Sequence, residues 1–105
     1  MPKVIALYPQ PTDVEQFEKD YVAHMRFFDE KMGFQGDVKP YTLTKFLPTP
    51  EGIPPYYQMA VIHFNSIEEM QTALSSQGAA ESVADAARIS TGGAPILMIG
   101  MEAIL

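Results

Sequence analysis

The run from Tyr56 to Phe64 holds no charge other than one that His63 can take up, and it constrains the fold more than any other feature of the chain. It is far too short to cross a membrane as a helix, which takes about twenty apolar residues. Alternation along an extended backbone places Tyr57, Met59, Val61 and His63 on one face and Tyr56, Gln58, Ala60, Ile62 and Phe64 on the other. Both faces are mostly apolar, so this strand is expected to be covered on both sides.

The other apolar segments fall on either side of it. Val4 to Tyr8 reads as a buried strand closed by Pro9 and Pro11. Thr12-Asp13-Val14-Glu15 is a capping-box pattern that opens a helix with the threonine oxygen as cap. Val14, Phe17, Tyr21, Met25, Phe28 and Met32 then recur at spacings of three and four, the stripe of a helix ending near Gly33. His24 falls on the edge of that stripe, near Phe17. Tyr41 to Leu47 is predicted as a strand, followed by a stiff loop rich in proline. Ser66-Ile67-Glu68-Glu69 opens a short helix striped by Ile67, Met70 and Leu74, and an alanine-rich helix runs from about Ala79 to Arg88. Gly92-Gly93 reads as a turn, and Ile96 to Met101 as the last strand.

This βαββαβ order predicts an α+β fold with one four-stranded antiparallel sheet. Right-handed crossovers put both helical connections on the same face of that sheet. The opposite face is left bare although its strands are apolar, and a second copy of the chain is the simplest cover, making a homodimer. Two sheets facing each other form a barrel across the dimer axis, with room for a ligand inside.

The 105 residues, 47% of them apolar, suit a single domain spanning 1–105. A formal charge of -6, with Lys3, Lys19, Arg26, Lys31, Lys39, Lys45 and Arg88 scattered, is poorly suited to nucleic acid. The chain has no cysteine, which excludes disulfides, thiolate metal sites and cysteine nucleophiles. Two histidines 39 positions apart match no familiar metal-ligand spacing. No cofactor and no membrane association are expected, and the cytoplasm is the default location.

Tyr21-Val22-Ala23-His24, Pro54-Pro55-Tyr56-Tyr57, and the run Ala60-Val61-Ile62-His63-Phe64-Asn65-Ser66-Ile67-Glu68 together resemble the EthD family. Val4-Ile5-Ala6-Leu7-Tyr8-Pro9 and Thr91-Gly92-Gly93 extend the resemblance over nearly the whole chain. It implies a ferredoxin-like dimeric α+β barrel, similar in fold to muconolactone-type isomerases, polyketide cyclases and dehydratases, and small cofactor-free monooxygenases. Such proteins hold a small organic molecule between sheet and helices, and the family's namesake is tied to breakdown of a fuel ether. Many members place Pro-Leu one residue after the helix histidine. Here Met25-Arg26-Phe27 follows His24, which lets the helix run on toward Met32.

An imidazole titrates near neutral pH, so His24 is the candidate acid/base group and His63 a weaker one. Tyr57, Met59 and Val61 share a strand face with His63 and are expected to contact a ligand, as is Tyr21 beside His24. Tyr8, Tyr41 and Tyr56 are also able to donate to a carbonyl, but only Tyr57 has a face that singles it out. The expected functions are cofactor-free proton-transfer chemistry on a small carbonyl or lactone compound, or non-catalytic binding of such a molecule in a degradation pathway. Cofactor-free oxygenation ranks below both.

Overall fold

The computed structural model describes residues 1–103. Along the chain run β1 (Pro2–Pro9), α1 (Val14–Met32), β2 (Tyr41–Lys45), β3 (Tyr56–His63), α2 (Ile67–Leu74), α3 (Gln77–Ile89) and β4 (Ile96–Met101). The strands form one antiparallel sheet in the order β2-β3-β1-β4. The two strands with the longest apolar runs therefore take the central positions, where neighbours on each side complete their backbone hydrogen bonds.

Each helix begins at a side-chain cap, though the first begins one residue later than the spacing suggests. Asp13, not Thr12, accepts the amide of Gln16 at 3.1 Å. The Thr12 amide donates instead to Thr91 Oγ1 at 3.1 Å, tying the start of α1 to the turn before β4. α1 closes on Gly33, whose φ of 74° lets its amide reach back to the carbonyls of Asp29 and Glu30. Ser66 caps α2 as expected. Ser76 caps α3, so that helix starts at Gln77, two residues ahead of the alanine run.

The burial of β1 alternates, with Val4, Ala6 and Tyr8 on the covered face. Register carries this face across β3, pairing Val4 with Ile62, Ala6 with Ala60 and Tyr8 with Gln58. Phe17 and Tyr21 of α1 and Ala86 and Ile89 of α3 pack on Ala6, Tyr8 and Ala60, while Met70 of α2 packs on Val4 and Phe64. All three helices thus share one side of the sheet, as the crossovers require. Ile5, Leu7, Met59, Val61, Ile96 and Met98 face the other way. That face is only half sheltered in the single chain, with Ile96 and Met98 each 40% exposed or more.

One facing differs from simple alternation. Tyr8 pairs with Gln58 but Pro9 pairs with Tyr56, so Tyr57 is the extra residue of a β-bulge. The bulge turns Tyr57 away from Met59, Val61 and His63 onto the helix side, where its ring meets Phe17 edge-on at 5.5 Å.

Candidate functional site

Between the helices and the covered face of the sheet lies a cavity of about 100 Å³. Val4, Ala6, Ala60 and Ile62 form its floor, and Met25, Phe28, Val83 and Ala86 are among its helix walls. Small residues on the central strands leave this space, because alanine at both members of the Ala6 and Ala60 pair sets no bulk beneath α1.

His24 lies on the wall of this cavity and is only 4% exposed, at the centre of the α1 stripe rather than on its edge. Its ring stacks between Tyr21 at 5.8 Å and Phe28 at 6.4 Å, not against Phe17. Nδ1 is 2.8 Å from Asp85 Oδ2 of α3. The other oxygen of Asp85 accepts from Arg88 Nε and Nη2, each at 2.9 Å. Burial works to raise the Asp85 carboxyl, but hydrogen bonds from His24 and Arg88 outweigh it and hold the group below the usual carboxylate range. An ionised Asp85 can only accept, so Nδ1 carries the ring proton and Nε2 is left as the free nitrogen. An imidazole oriented in this way by a carboxylate is suited to taking and returning a proton.

The remaining polar groups around the cavity are mostly committed. Tyr41 donates to Asp29 Oδ1 at 2.8 Å, and Ser82 Oγ to the Gly78 carbonyl at 2.8 Å. Burial pushes the Tyr21 hydroxyl up to about 12, opposed by the neighbouring Gln58 amide. The two groups are close, yet Tyr21 Oη and Gln58 Oε1 are sealed from solvent without a partner in hydrogen-bond geometry. Tyr8 also lines the cavity, and its hydroxyl makes no hydrogen bond to a described residue. Burial, followed by the nearby Tyr21 and the charge of Asp85, raises its pKa well above the ordinary tyrosine value.

Of the residues singled out by sequence, His24 and Tyr21 come together on the cavity. Met59 and Val61 lie on the opposite face of the sheet, and His63 is exposed at the end of β3, opposite Lys3. Tyr57 is on the helix side but outside the cavity, with its hydroxyl donated to Glu18, which also pairs with Lys45. Those two partners, Lys45 first, lower the Glu18 pKa, and the bond to Glu18 raises that of Tyr57. Sequence reasoning missed Asp85. The available signal was a carboxylate at the spacing of Ser82 and Ile89, on the buried side of an otherwise alanine-rich helix.

A ferredoxin-like α+β sheet with its helices on one face and a small apolar cavity beneath them defines the class of this protein. Among solved structures it is similar to an ethyl tert-butyl ether D (EthD) family protein from Bacillus halodurans C-125, with 29% identity and a TM-score of 0.80 over 98% of this chain and 99% of that one. It is also similar to an EthD-like protein from Ralstonia eutropha JMP134, with 25% identity and a TM-score of 0.64 over 94% of this chain and 88% of that one. No protein-family model and no curated protein sequence matches the chain. The chain is thus similar over nearly its full length to EthD-family structures, in agreement with the motifs that carry the resemblance.

Proposed function

We propose that this EthD-like chain binds a small, mostly apolar organic molecule in the cavity between sheet and helices, and that His24, held by Asp85, moves a proton on it. The observation that carries this reading is a buried imidazole, oriented by a carboxylate, on the wall of a cavity otherwise bounded mainly by hydrocarbon. The volume of about 100 Å³ is of the same order as an engineered cavity of about 150 Å³ that takes benzene. Isomerisation, cyclisation or dehydration of a carbonyl or lactone compound is the chemistry such a group serves, in a degradative setting. The half-sheltered apolar sheet face supports a homodimer as the working unit.

Non-catalytic binding of the same kind of molecule is the second reading, favoured by how few uncommitted polar groups the cavity wall offers. Native mass spectrometry of the protein as isolated, followed by incubation with small cyclic ketones and lactones, separates the two. Conversion by the wild type, lost in a dimeric His24→Ala variant, supports the enzyme. A ligand recovered unchanged after long incubation supports the carrier. Conversion that survives His24→Ala removes the role given to His24.

A further inference from the structure

We propose that Tyr8 is the second working group of the cavity, its hydroxyl donating to the carbonyl oxygen of a small ketone or lactone whose adjacent carbon faces His24. The inference rests on the cavity reading above and adds to it a residue and a ligand class. Most polar side chains on the cavity wall are already engaged or sealed. Tyr41 is bound to Asp29, Ser82 to the Gly78 carbonyl, and Tyr21 is sealed beside Gln58. His24 has given Nδ1 to Asp85. Tyr21 Oη is unpaired but shut off from the open space, so the groups left both unpaired and unsealed on the wall among the described residues are the acceptor Nε2 of His24 and the hydroxyl of Tyr8.

Position agrees with this pairing. Tyr8 comes up from the covered face of β1, its ring 5.4 Å from Tyr21, which in turn stacks on His24 at 5.8 Å. The Tyr8 hydroxyl is near enough to Asp85 to feel its charge, and Asp85 is the partner of His24. That charge and the burial keep the proton on Tyr8, so it is a donor throughout the neutral range. A donor and an acceptor in an apolar space match a molecule with one carbonyl oxygen and an ionisable C–H beside it.

The step balances without any further reagent. Nε2 takes the proton from the carbon next to the carbonyl. The electron pair of that C–H bond becomes the carbon–carbon π bond of an enolate, and the charge placed on oxygen is met by the Tyr8 hydrogen bond. The imidazolium then returns a proton to the same carbon, which gives exchange once Nε2 has traded its proton for one from solvent, or, in an unsaturated ketone, returns it to the conjugated carbon, which gives isomerisation.

Cyclopentanone labelled with 13C at the carbonyl is a suitable probe, since it has as many non-hydrogen atoms as benzene. On binding to the wild type its carbonyl resonance is expected downfield of its position in alkane. Tyr8→Phe, which removes one oxygen and keeps the ring, should abolish that shift and weaken binding by about tenfold at most. His24→Ala should keep the shift. Exchange of the α-protons with D2O should be lost in His24→Ala and slowed about 100-fold or more in Tyr8→Phe. A bound ketone with no downfield shift in the wild type, or with an unchanged shift in Tyr8→Phe, overturns the role of Tyr8 and leaves the cavity reading standing. No binding at all overturns both.

Discussion

At the scale of single residues, the site depends on how each polar tip is committed. His24 was legible at the edge of the α1 stripe because a helix period shows in sequence, whereas its partner Asp85 is 61 positions away and is brought near only by packing of α1 on α3. The bond has a measurable signature in acid. The Asp85 carboxyl is lowered in the folded protein, so its contribution to stability is complete above its ordinary value of 3.8 and is lost as pH falls through the lower folded value. Asp85→Asn keeps the shape and removes this contribution. Chemical denaturation from neutral pH down to about pH 2 is expected to show the gap between wild type and variant narrowing below about pH 4. A gap that stays constant with pH would mean that the carboxylate is not held by His24 and Arg88.

At the scale of elements, local chemistry places the helix starts to within a residue or two, and tertiary contacts move them the rest of the way. The Thr12 amide is drawn to Thr91, leaving Asp13 to cap α1. The turn before β4 is tied to the same connection by close backbone packing, because a Cβ on Gly92 would lie 1.8 Å from the carbonyl oxygen of Gln10. Both backbones cannot keep their places around such an atom. Gly92→Ala is therefore expected to lower stability by about 1–3 kcal/mol, read as a lower urea midpoint at an unchanged slope. Wild-type stability in the variant would show that this approach is not needed. The bulge at Tyr57 belongs to this scale too, since one extra residue opposite Tyr8 and Pro9 reversed the facing that alternation assigned. No pattern in the sequence marks that position, because the bulge depends on how β3 is matched to β1.

At the scale of the whole molecule, the exposed side of the sheet sets the expected assembly. Ile5, Leu7, Met59, Val61, Ile96 and Met98 gather on one face that no helix among the described residues covers. A homodimer is expected in sedimentation at micromolar concentration, and Met98→Glu should shift it toward monomer by placing a charge in a buried apolar contact. A wild type that sediments as a monomer would sink the dimer. No helix among the described residues is long and apolar enough to cross a membrane.

The sequence by itself determined the order of elements, the one-sided placement of the helices and the place of His24 beside the apolar stripe of α1. These follow from period, caps and the handedness of crossovers, all local or nearly local rules. Only the tertiary structure decided which polar groups stay free. The cavity opens under α1 because Ala6 and Ala60 meet across two strands, and Tyr8, not Tyr57, offers it an unengaged and unsealed hydroxyl because a bulge sends Tyr57 to Glu18. Such pairings join residues far apart in the chain, and their register is set by the folded sheet and the helices packed on it.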